Sequence, residues 1–306
     1  MDDKKENGIR CRESLTKKVK QDVLDMGLDL VGVADPKDLD GSPDGHSSPF
    51  RILPGARAIL VFAMRCPHGA VETPHPPIDG TPEELEAVHG GIYFTSYMSM
   101  NFKLMEHALN IANYLEKMGY KSAPVSSTLG RDETRWVGPI SLRRAAQQAG
   151  IGEIGVNSLL LTPEFGPRVR LAAVITTAPL VIDGPKLVGK VCTKCGACTK
   201  HCPTQAVHDS LNTFERKKCI WGAMGLYKGS GGQLPPKEWY ESETIPKMMS
   251  LMPKYIEMYP RIKHYRDLSV KYMGYPNCLE CYLHCTVGKE ASRKAFNDDG
   301  DWRDAK

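Results

Sequence analysis

Eight of the ten cysteines in this chain are of a type and spacing suited to gripping iron rather than to forming disulfides. Cys192, Cys195, Cys198 and Cys202, followed by Pro203, make a C-x2-C-x2-C-x3-C-P run, and Cys219, Cys278, Cys281 and Cys285 follow downstream. In two-cluster proteins the fourth cysteine of such a run serves the other cluster, so the run by itself demands a second half. Three thiolates at intervals of three can wrap a loop around one face of a 4Fe-4S cubane, while the longer x3 step turns the next thiolate away. We therefore assign Cys192, Cys195, Cys198 and the distant Cys285 to one cluster, and Cys202, Cys278, Cys281 and Cys219 to the other. Cys219 stands alone in the sequence, and its rival for that place is Cys66, which closes an apolar run. A zinc ribbon would need two isolated cysteine pairs instead of a run of four, and a disulfide framework belongs to small secreted domains. Cys11 and Cys66 read as ordinary reduced thiols.

Composition sets the frame for this chemistry. A chain of 306 residues with 41% hydrophobic and 25% charged residues can bury a full core and is long enough for two domains. Its formal charge of +4 falls close to zero once two clusters are loaded, since each oxidised cluster with its four thiolates carries roughly −2. No nucleic-acid partner is implied by this charge. The first twenty residues are charged throughout and carry neither an apolar segment nor adjacent arginines, and the longest apolar run, residues 58–64, is too short to span a bilayer. The expectation is a cytoplasmic protein working in a reducing interior.

The elements that must position the cysteines read as follows. Residues 12–26 show helical spacing of Val19, Val23, Leu24 and Met26 and stop at Gly27; residues 28–34 and 56–64 read as strands. Residues 35–54 are rich in Pro, Gly, Ser and Asp and read as loop, as do residues 67–82, with a flap over a pocket as the alternative. The strongest helix is residues 96–118, with Leu104, Ala108, Ile111, Ala112 and Leu115 on one stripe and Gly119 at its end. A strand at 122–125, a polar loop at 126–135, a helix at 141–149 and a strand at 169–177 complete an α/β (α+β) N-terminal domain over residues 1–185. Residues 186–306 then form the cluster domain, interrupted by an insertion at about 226–275.

The stretch Ala149-Gly150-Ile151-Gly152-Glu153-Ile154-Gly155, then Leu159-Leu160-Leu161-Thr162-Pro163-Glu164-Phe165-Gly166-Pro167-Arg168-Val169-Arg170, resembles the segment before the ferredoxin module of corrinoid-dependent reductases. Reductive dehalogenases and epoxyqueuosine reductases are both similar there, the dehalogenases more so. Lys218-Cys219-Ile220 and Asn277-Cys278-Leu279-Glu280-Cys281 sit as the second-cluster elements of these families do, and the likeness covers most of the chain from about residue 90 onward. The resemblance implies a nitroreductase-like α/β domain holding a cobalamin, beside a bacterial-type two-cluster ferredoxin domain that reduces the cobalt. FMN is the alternative cofactor, because the fold does not select one.

Within that resemblance, Tyr93 and Tyr97 are the candidates for a general acid that protonates a developing carbanion, with aromatic packing as the plainer reading. Arg168 and Arg170 are candidates for contact with a phosphate or anionic substrate, or else form an ion-paired strand edge. Gly152, Asn157 and Ser158 are candidates for cofactor contact from a glycine-rich loop, or else turn formers. Three departures count against naming a substrate: Lys121 stands where epoxyqueuosine reductases carry an aspartate, Val156 where dehalogenases carry a basic residue, and Thr286 where a proline follows the last cysteine. The insertion reads as a structural wrap around the second cluster, an electron-donor docking face or a lid. His201, His208, His264 and His284 read as packing or surface residues. The expectation is a reductase that cleaves a bond in a small organic substrate and takes electrons from a low-potential donor such as ferredoxin or flavodoxin. Its rivals are an electron-transfer or corrinoid-activating iron–sulfur protein and a flavin-dependent enzyme.

Overall fold

The computed structural model describes residues 2–41, 45–72, 82–126, 137–211, 213–263 and 278–289; the side chains of residues 2–8, 72 and 82–94 lie outside the described set. Six strands are present among them: β1 Leu30–Ala34, β2 Ala58–Arg65, β3 Ser122–Val125, β4 Glu153–Ile154, β5 Leu160–Leu161 and β6 Val169–Thr176. Four make one sheet in the order β1-β2-β6-β3, and β4 and β5 make a separate hairpin. Every pairing is antiparallel, with Leu60 opposite Val174 and Val61 opposite Ala173 at the centre. The arrangement is therefore mixed α and β, built on a small antiparallel sheet.

The helices are α1 Asp2–Asp25, α2 Pro49–Ile52, α3 His68–Glu72, α4 Pro82–Lys117, α5 Leu142–Gln148, α6 Ala197–Lys200, α7 Arg216–Ala223, α8 Leu226–Gly229, α9 Lys237–Tyr240, α10 Ile245–Met249, α11 Met252–Met258 and α12 Glu280–His284. Side chains alternate across a strand, and both faces of the sheet are covered. Ile59, Val61, Ala63, Ala173 and Ile175 face a core completed by Ala145 and Ala146 of α5. Ala58, Leu60, Phe62, Ala172 and Val174 face Val19 and Val23 of α1 and Leu104, Ile111 and Leu115 of α4. This explains why β2 reads as an unbroken apolar run: residues 58–63 are buried on both sides. Burying each such large side chain contributes about 1.5–3 kcal/mol.

The elements expected from the sequence are present with shifted ends. Helix α4 begins at Pro82, well before residue 96; Pro is accommodated at a helix start, and the internal Gly90 and Gly91 obscure the signal, since each costs about 1 kcal/mol relative to Ala. Its other end is where the sequence puts it. Gly119 takes φ +89°, Tyr120 N–H bonds Leu115 O at 3.1 Å and Gly119 N–H bonds Glu116 O at 2.8 Å, the Schellman closure. Residues 35–54 are not all loop. Asp35 and Ser48 accept backbone N–H bonds from Lys37 and Phe50 and each precedes a proline, starting a 3-10 turn at Pro36–Leu39 and helix α2. Of residues 67–82, α3 is a helix, and residues 73–81 lie outside the described set, as do 127–136 of the polar loop.

Beyond the sheet, helix α7 and the described part of the insertion share a core of their own. Trp221 of α7, Trp239 of α9 and Tyr255 of α11 meet edge to face, with ring centroids 5.1, 5.0 and 6.0 Å apart. Ile220, Met224, Leu226, Met248 and Ile262 pack around them.

Candidate functional site

The cysteines collect into two neighbouring sets. Cys192, Cys195, Cys198 and Cys285 line one cavity, walled also by Val156, Leu161 and Thr286. Cys202, Cys219, Cys278 and Cys281 form the second set, close enough that Cys202 raises the pKa of Cys219, and that Cys202 and Cys219 raise those of Cys278 and Cys281. Each set draws from both the 192–202 run and the 278–285 segment. Cys192, Cys202 and Cys281 pack against one buried cluster that holds Cys198, so the two sets adjoin. Cys66 is buried elsewhere, with Val71, Tyr97 and Met100, and Cys11 is exposed on α1.

Burial dominates the protonation of these thiols. It pushes Cys219 up to about 11 and Cys278 up to about 12, and it raises Cys281, Cys285 and Cys198, with neighbouring cysteines adding to the effect. Cys195, which is exposed, goes the other way, because the Ala197 backbone N–H bonds its sulfur, with the Thr286 hydroxyl assisting at 3.8 Å. Thr286, which replaces an expected proline, thus touches a cysteine of the first set. In the second set, Ala206 N–H donates to Cys202 Sγ at 3.2 Å. Such N–H···S bonds are among the factors that tune cluster potentials. Four thiols per set would fit the donor needs of a 4Fe-4S cluster, whose iron would replace the protons that burial otherwise retains. Among the described residues no three His, Cys, Asp or Glu side chains converge closely enough for a single metal ion.

Two further contacts join the cysteine segments. The rings of His201 and His284, each next to a cysteine, stack at 3.6 Å with 5° between planes, and His284 pairs with Glu280 at 3.2 Å. His208 pairs with Glu215 at 2.7 Å. These histidines pack and pair, as expected; His264 lies outside the described residues.

The remaining site candidates fall in three places. Tyr97 is buried against Cys66, Met100 and Leu279. The Arg170 guanidinium lies 4.5 Å over its ring, donates to its hydroxyl at 3.3 Å and donates through Nε to Asn101 Oδ1 at 3.1 Å. Tyr282, in the segment that carries the cluster cysteines, joins the same group; burial pushes its phenol up to about 12, partly offset by Arg170. The side chain of Tyr93 lies outside the described residues.

Arg168 is spent differently. Its Nη1 donates to the carbonyls of Tyr282 at 2.9 Å and Cys285 at 3.1 Å, and its Nη2 to Val287 at 2.5 Å. Gly152, Asn157 and Ser158 belong to the β4–β5 hairpin. A Cβ on Gly152 would stand 2.2 Å from the Leu161 carbonyl oxygen. Asn157 Oδ1 accepts from Leu159 N–H at 3.1 Å, and Ser158, at φ +60°, receives Arg143 at its hydroxyl at 3.0 Å. Strand pairing and turn geometry account for these three residues. The candidates Gly152, Asn157 and Ser158 thus share one hairpin, while Arg168 turns toward the 282–287 backbone and Arg170 toward Tyr97.

Glu153 was not among the sequence candidates. It is buried on β4, and its carboxylate accepts the backbone N–H groups of Gly189, Lys190, Val191 and Cys192. A lone acidic residue between Ile151-Gly152 and Ile154-Gly155 was the available signal. Asn101 and Tyr282 were also missed, because neither is marked by a local motif.

The chain joins a small antiparallel sheet covered by helices to two neighbouring sets of cysteines, and its similarity to known proteins can be set beside that arrangement. No protein-family profile matches the chain. A tetrachloroethene reductive dehalogenase of Desulfitobacterium hafniense is 34% identical over 153 residues, 49% of this chain and 23% of the relative. An epoxyqueuosine reductase of Bacillus cereus is 28% identical over 178 residues, 57% of this chain and 42% of that protein. Among solved structures, epoxyqueuosine reductase with a tRNA-Tyr epoxyqueuosine-modified stem loop matches at a TM-score of 0.52 and 16% identity, covering 94% of this chain and 95% of that one. The matches span less than a quarter of the dehalogenase and less than half of the Bacillus reductase. The chain is thus similar in sequence to reductive dehalogenases and epoxyqueuosine reductases over part of their length, and similar in fold to epoxyqueuosine reductase. Among the described residues no helix is long and apolar enough to cross a membrane.

Proposed function

We propose that the protein is a reductase that carries two 4Fe-4S clusters, one on Cys192, Cys195, Cys198 and Cys285 and one on Cys202, Cys219, Cys278 and Cys281. The carrying observation is the exchange of cysteines between two remote segments, which suits paired clusters passing single electrons. Reductive cleavage of a carbon–heteroatom bond takes two electrons and one proton and releases the heteroatom group as an anion. The clusters supply the electrons one at a time, drawing on a low-potential donor such as ferredoxin or flavodoxin. Tyr97 is the proposed proton source at its Oη, and Arg170, held by Asn101, orients that hydroxyl and favours the phenolate left behind. Cobalamin, implied by the family, would supply the bond-breaking chemistry.

Other readings compete with this one. Val156 and Lys121 lack the charges expected for dehalogenation and for epoxyqueuosine reduction respectively, which favours an electron-transfer or corrinoid-activating role. The tRNA-bound epoxyqueuosine reductase speaks against dismissing a nucleic-acid substrate. Anaerobic reconstitution with iron, sulfide and either cobalamin or FMN decides among them. About eight irons per chain with stoichiometric cobalamin and turnover of a halogenated substrate supports the reductase reading. Turnover of an epoxyqueuosine-containing tRNA stem loop redirects it to nucleic acid, bound FMN to a flavoenzyme, and about eight irons with neither cofactor to an electron carrier. About four irons, or none, refutes the two-cluster proposal.

A further inference from the structure

We propose that Glu153 and Arg168 act as opposed charges on the cluster of the Cys192 set, holding its two halves on the sheet domain and setting its reduction potential, Glu153 lowering it and Arg168 raising it. The proposal rests on the two-cluster reading above.

Glu153 and Arg168 are 4% and 2% exposed, and each side chain is aimed at backbone that carries a cysteine of the same set. The Glu153 carboxylate gathers four consecutive amides ending at Cys192; Lys190 N–H lies 3.1 Å from Oε2 and Val191 N–H 3.0 Å from Oε1. Consecutive N–H groups converge on one acceptor only where the chain curls around it, so this contact turns the chain into the cysteine loop. Arg168 gathers the carbonyls of Tyr282, Cys285 and Val287 and thereby seats the remote fourth thiol. The two side chains thus hold opposite ends of one four-cysteine set, an anion at its first cysteine and a cation at its last.

A buried carboxylate is costly unless it accepts strong hydrogen bonds, and four charge-assisted amide bonds meet that need. A guanidinium capping three carbonyls is satisfied in the same way. Neither arrangement removes the net charge. Reduction adds one electron to a cluster that is already anionic. A fixed negative charge nearby opposes that step and a fixed positive charge favours it, more strongly here than in water because the site is sheltered. Both are positioning residues, and neither touches the reacting atoms.

The test is redox-poised EPR on the full-length, anaerobically reconstituted protein, reading both midpoint potentials. E153Q and R168Q remove each charge with little change of shape, and E153D and R168K keep it. In E153Q one of the two midpoints is expected to rise, and in R168Q the same midpoint is expected to fall. Each shift is at least about tenfold in the one-electron equilibrium, about 59 mV, and the other midpoint stays unchanged. E153D and R168K should remain closer to the wild type than the neutral variants. An unmoved midpoint in either loaded neutral variant overturns the proposal. Loss of that cluster from both neutral variants, with circular dichroism intact, would leave the residues a geometric role and also overturns the claim on potential. A wild-type protein that fails to load about eight irons refutes the two-cluster reading instead, a result separable from the others by iron analysis alone.

Discussion

Replacing Trp239 by alanine should cost the protein one cluster and leave the other. Trp239 is fully buried; its indole meets Trp221 and Tyr255 edge to face, and its Nε1 donates to the Lys217 carbonyl at 2.8 Å. Lys217 lies two residues before Cys219 in helix α7, so this side chain fastens the helix that carries the isolated cysteine of the second set. Truncating a buried Trp to Ala costs about 3–5 kcal/mol, of which the indole N–H bond supplies about 0.5–1.5. The affected core, built from residues 220–262, is distinct from the two that flank the sheet, so the cost falls on a local unit rather than on the whole chain. At 1.4 kcal/mol per tenfold, opening of that unit becomes more populated by roughly two to three and a half orders of magnitude. The expected result is a fall from about eight irons to about four per chain, loss of one EPR signal and unchanged strand content. Trp239→Phe keeps most of the area and loses the hydrogen bond, so it should retain both clusters with faster loss of iron to a chelator. Eight tightly held irons in Trp239→Ala would refute the assignment of the insertion as the wrap around the second cluster.

Cys66, whose burial pushes its thiol up to about 12, should resist alkylation in the native protein from pH 7 to 9, since it stays protonated across that range. Exposed Cys11 should react throughout, and Cys66→Ala should keep both clusters; mass spectrometry after labelling and iron analysis check this. Tyr97→Phe should lower turnover by about 10²–10⁴-fold with iron content unchanged. Arg170→Gln should do so less severely; equal turnover by Tyr97→Phe would exclude this phenol as the proton source. Gly152→Ala should destabilise by several kcal/mol in thermal unfolding, because the added Cβ would meet backbone at 2.2 Å and neither strand of the hairpin can yield cheaply.

What could be read from the chain was whatever local spacing carries. The proposed cysteine partition starts from the C-x2-C-x2-C-x3-C spacing, and β2 and β6 announce themselves as apolar runs because both their faces are covered. Arg168 and Arg170 show where that kind of reading stops. Two residues apart they were candidates for one anion, yet Arg168 precedes β6 and turns to three carbonyls of the 282–287 segment, while Arg170 stacks on Tyr97 of α4. Their partners lie more than sixty residues away in sequence, and no period or cap encodes such contacts. Glu153 was invisible for the same reason: an acidic residue in an apolar hairpin signals that something is accepted there, but the donors are four backbone amides, which every sequence contains.

These long-range contacts also explain how remote thiols can meet in one set. A cluster that joins Cys192 to Cys285 closes a very long loop, and the entropic cost of closure grows with loop length, though slowly. Contacts made by the protein alone shorten the search before any iron arrives. Arg168 fixes the 282–287 backbone, Glu153 fixes residues 189–192, and the stacked rings of His201 and His284 bring the two segments side by side. On the two-cluster proposal, iron would replace protons on thiols that burial favours in the neutral form, so cluster loading should release protons and become more favourable as pH rises. The sign follows from the raised pKa values of Cys219 and Cys278, about 11 and about 12: below those values each thiol that binds iron must give up a proton, and raising the pH lowers the cost of that step.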